Sequence, residues 1–146
     1  MLKNITKLII YTDGGSRGNP GKSGGGVYVV NQASKSVLNL SLFFGNKTNN
    51  EAEYLAFLAS LKWLEKQIKQ DAFEKLKTID WLLDSKLVVE QINKNWKIKE
   101  ERLQKLVNRC WKILETIPYS TNIKHVLRDK NEQADFLANL AMDIIS

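Results

Sequence analysis

Cysteine, histidine and proline are nearly missing from this chain. Cys110 is the one cysteine among 146 residues, so no internal disulfide can form. It falls in a helical stretch and reads as a buried thiol. His125 is the one histidine. The two prolines act as punctuation: Pro20 fixes an angle within a glycine-rich stretch, and Pro118 stops a helix. No apolar run approaches the ~20 residues of a membrane span, and no membrane association is expected. The start, MLKNITKLIIYT, has too short an apolar stretch and no small-residue cleavage site for a signal peptide, so a cytoplasmic location is expected. Linkers, internal repeats and low-complexity segments are also lacking. Residues 1–146 are therefore expected to form one domain. A hydrophobic content of 43% supplies an ordinary core and excludes a disordered basic tail. Acidic residues are outnumbered, 16 against 22 basic, and the net charge of +6 favours a polyanionic partner.

Glycine is present but concentrated: seven of the eight lie between Gly14 and Gly26. The apolar run Leu8 to Tyr11 before them predicts a buried strand that delivers Asp13 to a glycine turn. Residues 24–30 and 35–44, rich in Val, Leu, Tyr and Phe, predict two further strands, antiparallel to the first. Thr48-Asn49-Asn50 can cap a long helix running to about Gln70, with Glu51 and Glu53 in its first turn. Ala52, Ala56, Ala59 and Ser60 are small and would let that helix lie close on a sheet. Residues 76–83 predict a fourth strand ending at Asp84. A short helix follows over 85–93, a longer one over 99–116 and a fifth strand over 122–127. Asp129 or Asn131 caps a last helix to about Ile144. The order βββαβααβα implies an α/β fold, a five-stranded mixed sheet of three antiparallel and then two parallel strands, flanked by helices.

Asp13 and Asp84 each end a predicted strand, which is the usual edge for a site in open α/β sheets. Asp135 lies on the last helix. Glu51 and Glu53 are about 200° apart around their helix axis, so they cannot both face one site. Both continue into mostly apolar faces, and periodicity does not choose between them. Four converging carboxylates are unfavourable unless protons or cations intervene. All-oxygen ligands favour hard ions such as Mg²⁺ or Mn²⁺, and two of them clamp the attacking and leaving oxygens of a phosphoryl transfer.

These segments together resemble ribonuclease H type 1. Tyr11-Thr12-Asp13-Gly14-Gly15-Ser16 with Gly18-Asn19-Pro20-Gly21 is similar to the family's first-strand motif. Thr48 to Glu53 is similar to its T-N-x-x-x-E motif, which selects Glu53. Asp84-Ser85 resembles its D-S motif, and Asn131 to Asp135 with Leu137-Ala138 resembles N-x-x-A-D-x-L-A. The resemblance implies cleavage of the RNA strand of an RNA–DNA hybrid, giving 5′-phosphate and 3′-hydroxyl ends. It implies two Mg²⁺ ions, replaceable by Mn²⁺, on Asp13, Glu53, Asp84 and Asp135. It further implies 2′-hydroxyl reading by Gly14, Gly15, Ser16 and Glu53. Asn19 and Thr48 would grip a DNA phosphate, and Asn49 and Asn50 would touch the minor groove.

The chain departs from the commoner bacterial pattern in three places. The basic protrusion after the short central helix looks absent, leaving Lys94, Trp96, Lys97 and Lys99 as candidate contacts, with Trp96 against a DNA sugar. The histidine loop is replaced by V-x-R-x-x-N-x-x-A-D, which is similar to a shorter variant branch. His125 then reads as structural, and Arg128 as the group near the scissile phosphate. Lys86 follows Asp84-Ser85 where the family often has Gln, which would favour phosphate contact. A monomer without an added hybrid-binding module is expected. A catalytically silent hybrid-binding domain, or a related nuclease with double-stranded RNA activity, would share the fold. The first would be marked by loss of an acid, and all four are present.

Overall fold

The structure, a computed structural model, describes residues 2–145. Strands β1 (Lys7–Arg17), β2 (Gly21–Asn31) and β3 (Ser36–Lys47) form an antiparallel meander. Helix α1 (Asn49–Lys69) leads to β4 (Thr78–Leu83), then α2 (Lys86–Ile92), α3 (Glu101–Leu114), β5 (Ser120–His125) and α4 (Glu132–Ile145). The strand order is β3-β2-β1-β4-β5, with β4 parallel to both β1 and β5. This is the predicted mixed sheet, a ribonuclease H-like fold. Between α2 and α3, residues 93–100 contain no helix. No described helix is long and apolar enough to cross a membrane.

Alternation along the strands decides which helix covers which face. Leu8 and Ile10 of β1 share a face with Val27 and Val29 of β2 and with Ile79, Trp81 and Leu83 of β4, and all are fully buried. Helix α1 packs there through Tyr54, Phe57, Leu61 and Leu64, and α3 adds Leu103, Val107 and the buried Cys110. Trp81 anchors the contact by donating its Nε1–H to Ser60 Oγ at 2.9 Å, with its ring edge-on to Phe57. The other face carries Tyr11 and Asp13 and receives α4. Ser41 Oγ donates to the Leu137 carbonyl, tying α4 to β3.

The glycine-rich stretch is not the turn that its composition suggests. Gly14 and Gly15 continue β1, paired with Gly25 and Gly24, and Asp13 pairs with Gly26. Only residues 18–20 turn, with Gly18 at φ +91°. The other glycines of the stretch, Gly15 excepted, serve close packing. A Cβ at Gly14 would fall on the Ala52 carbonyl of α1, and one at Gly25 would press on Phe44 and Ala56. On the opposite face a Cβ at Gly26 would fall on the Ala134 carbonyl of α4. Two helices therefore touch the β1–β2 backbone from both sides.

Gly26→Ala should lower stability by about 1–3 kcal/mol, because α4 must move to admit the methyl group. Gly15→Ala, whose Cβ would meet only Asn49 Oδ1 at 4.0 Å, should be near neutral. Urea unfolding of the two variants measures the difference.

Candidate active site

The parallel ladder between β1 and β4 ends at the pair Thr12–Leu83. The next residues are Asp13 and Asp84, so two carboxylates stand side by side where the central strands stop pairing. Glu53 joins them from the first turns of α1, because contact at Gly14 brings the backbone of residues 52–53 against β1. Ligand oxygens of Asp13, Glu53 and Asp84 all lie within 4.8 Å of one another. Asp135, in the first turn of α4, lies outside that knot but lines the same cleft of about 410 Å³. Helix α4 reaches it by packing over Gly24 and Gly26.

Asn131, just before α4, braces the site. Its side chain is buried, and its Nδ2–H donates to the Thr12 carbonyl at 2.9 Å and to Asp84 Oδ2 at 3.3 Å. Its backbone carbonyl accepts from Asp135 N, as a helix cap does, but its side chain is spent on the strands. The sequence reading had Asn131 as a cap and as part of a motif and missed this brace. A buried amide four residues before an acid was the available signal. Asn139 Nδ2 similarly donates to Asp135 Oδ1 at 3.3 Å.

Burial and mutual repulsion set the electrostatics. Asp13 is 7% exposed. Its carboxyl is pushed up to about 7, first by loss of water and then by Asp84, with Asp135 adding to the rise. Glu53 is held well above the usual carboxylate range by burial and by Asp13, although the Gly14 backbone opposes this with a hydrogen bond. Glu53 Oε2 is buried without a partner. A dry cluster of carboxylate oxygens with an unused acceptor suits hard divalent cations, and every donor in the set is oxygen.

The two glutamates of α1 separate cleanly. Glu51 accepts from Thr48 N at 3.1 Å while Thr48 Oγ1 accepts from Glu51 N at 3.1 Å, a reciprocal cap. Arg102 sits 3.9 Å from Glu51. Glu51 thus holds the helix end, and Glu53 faces the site.

Gly14, Gly15, Ser16, Asn49, Asn50 and Arg128 all line the cleft. Ser16 N and Oγ donate to Asn49 Oδ1 at 2.8 and 3.0 Å. Asn19 Oδ1 accepts from Asn49 N at 3.0 Å, placing Asn19 beside Thr48 at the start of α1. Trp96 is exposed in a separate groove with Lys97 and Lys99, and Asn50 borders both. It does not cover the core edge. Lys86 is exposed at the start of α2 and is absent from the cleft lining, whereas Ser85, the N-cap of α2, lines it. His125 ends β5 beside Leu83 and is exposed, and it does not line the cleft.

A sheet of this order, with acids gathered where its central parallel strands stop pairing and helices touching both faces, places the protein in the ribonuclease H-like class of hydrolases. Residues 11–141 match the family described as reverse transcriptase-like. A bifunctional protein of Mycobacterium tuberculosis is 41% identical over 138 residues, 94% of this chain but 36% of its own length. The chain thus spans about a third of that relative. A ribonuclease H of Ruthia magnifica is 37% identical, covering 97% of this chain and 99% of its own. The crystal structure of a ribonuclease H1 isolated from compost superposes with a TM-score of 0.88 at 36% identity, covering 97% and 99% of the two chains. The chain belongs to the ribonuclease H family.

The metal-free protein should show a pH signature. Because folding raises Asp13 from its ordinary 3.8 to about 7, its ionisation opposes folding. The stability it contributes is full below pH 3.8 and is lost as pH rises through about 7. In chelator at pH 8, Asp13→Asn should therefore be more stable than the native chain, by at most on the order of 4 kcal/mol. The gap should close toward pH 4, and Mg²⁺ should narrow it at pH 8. Urea unfolding across pH checks this, and equal stabilities at pH 8 would mean that the carboxylates are apart.

Proposed function

We propose that this chain hydrolyses the RNA strand of an RNA–DNA hybrid, leaving 5′-phosphate and 3′-hydroxyl ends. The observation that carries the reading is the convergence of Asp13, Glu53 and Asp84 within 4.8 Å at the end of the paired central strands. The substrate is supported by a similar ribonuclease H1, 35% identical with a TM-score of 0.85, solved in complex with an RNA/DNA hybrid.

Asp13, Glu53, Asp84 and Asp135 would hold two Mg²⁺ ions, with Mn²⁺ as a replacement. When bound, such ions supply Lewis acidity toward the attacking water and the departing 3′ oxygen. Asp13 lies between its partners and would ligate both ions. Glu53 and Asp84 would serve the leaving-group side, and Asp135, which approaches Asp13 from α4, the water side. Arg128 at the cleft rim would face the scissile phosphate. The backbone of Gly14 and Gly15 with Glu53 would read the 2′-hydroxyl that marks RNA. Ser16 would act with Asn49 as one unit. Asn49 Oδ1 is already occupied by Ser16, leaving the Asn49 amide nitrogen, with Asn50, to meet the minor groove. Thr48 and Asn19 share one corner, where they would grip a DNA phosphate while continuing to secure the helix start. Trp96 would meet the DNA further along.

An end-labelled RNA strand should be offered as hybrid, as double-stranded RNA and as single-stranded RNA, each with Mg²⁺, with Mn²⁺ and with chelator. Metal-dependent cutting of the hybrid, much weaker on the other substrates, is the expected result. Binding without cutting would instead indicate a silent hybrid-binding domain. Asp13→Asn, Asp135→Asn and Glu53→Gln should each reduce cleavage by on the order of 1000-fold with the fold intact, since each loses several kcal/mol of charge stabilisation. Glu51→Gln should be mild, because that residue caps a helix and faces away.

A further inference from the structure

Helix α3 carries Arg102, Lys105, Arg109 and Lys112 at spacings of three, four and three residues. At 100° per residue these four fall within an arc of about 80°. The opposite flank carries the buried Leu103, Val107 and Cys110. The basic stripe therefore runs along the exposed edge of the seam between α3 and α1. Three of its members, with Lys47 from the end of β3, rim a groove of about 390 Å³ floored by Leu55 and Leu106.

The groove holds one acid, Glu51, which is already engaged by the Thr48 cap and lies 3.9 Å from Arg102. Lys105 pairs with Glu101 at 3.8 Å, but those side chains are 75% and 85% exposed, so the pair neutralises little. Glu51 pairs with Arg102, and neither Lys47 nor Arg109 forms an ion pair within the groove. Such a concentration of unneutralised charge, on a chain of net charge +6, disfavours a second copy of the chain and suits a polyanion. The upper end of the groove opens beside Thr48. From Arg102 to Arg109 the stripe extends about 10 Å along the helix axis, long enough to meet more than one phosphate of a single strand.

We propose that the α1–α3 seam is an extended anchoring track for the DNA-strand backbone, continuing outward from Thr48 and taking the hybrid beyond the stretch held in the cleft. Lys47, Lys105 and Arg109 contact successive phosphates, and Leu55 and Leu106 lie beneath the sugars. Basic residues on α3 thereby supply charge for long substrates in a chain whose α2–α3 connection has no helix of its own. This rests on the proposed hybrid substrate.

The test compares the native chain with Lys105→Ala/Arg109→Ala on hybrids of increasing length. The charge-matched control is Lys75→Ala/Lys77→Ala, two exposed lysines at the far end of the sheet. On a long hybrid, KM of the α3 variant should rise on the order of tenfold with kcat unchanged. The slope of log affinity against log salt should become shallower by about two. Both effects should grow with hybrid length, and the control should show neither. Native-like KM and salt slope in the α3 variant, or equal effects in the control, would overturn the track while leaving hybrid cleavage standing. If the native chain cuts no hybrid but its binding shows the slope change, the track stands and the cleavage reading falls. Arg102 is left in place because it faces the cap of α1, so the variant alters only exposed side chains and its urea midpoint should match the native one.

Discussion

Backbone contact between helices and sheet, on both faces of one hairpin, is the constraint from which the site follows. Helix α1 touches β1 at Gly14 and β2 at Gly25, while α4 touches β2 at Gly24 and Gly26. Each helix brings an acid to the same end of the sheet, Glu53 from one face and Asp135 from the other. If either helix stood off by the thickness of a side chain, its carboxylate would no longer reach Asp13. The glycines therefore act at a distance from the chemistry, by setting how far apart the helices lie.

The acids so assembled resist one another. Asp13 and Glu53 lose most of their water and face like charges, and the Glu53 oxygen without a partner shows that the protein does not satisfy the cluster from within. The nearby polar side chains mostly hold position: Asn131 ties Asp84 to β1, and Asn139 ties Asp135 to its own helix. Around this centre lie a Trp81-centred core on one face of the sheet and side-chain caps at the starts of α1 and α2. A rigid frame holding repelling carboxylates is what a site for divalent cations requires. The positive charge on α3 and around Trp96 lies outside the cleft, where it can draw in a polyanion without neutralising the acids.

Much of this was legible from residue order. Element types and sheet topology followed from apolar runs, caps and the βββαβααβα pattern, and strand ends pointed to Asp13 and Asp84. The glycine-rich stretch was misread as a turn because glycine signals both free backbone angles and close packing, and only a partner surface tells them apart. Lys86 was named as a phosphate contact because it follows Asp84-Ser85 where the family often has Gln; it is exposed at the start of α2 and does not line the cleft, while Ser85, the cap of that helix, does. Asn131 looked like a cap because its position matches one, while its side chain donates to Thr12 on a strand more than a hundred residues away and to Asp84.

The sequence by itself determined the element types, the mixed character of the sheet and which acids were candidates, since these depend on local spacing, periodicity and the order of elements along the chain. Residue spacing left Glu51 and Glu53 open and only the motif resemblance chose Glu53; the tertiary structure showed why, with Glu51 held in the cap of α1 and Glu53 buried beside Asp13, and it alone decided that the basic residues of α3 share a groove with Lys47. Those outcomes depend on how closely two helices approach a sheet, a distance set by side chains that are missing from β1 and β2 and written in no single segment of the chain.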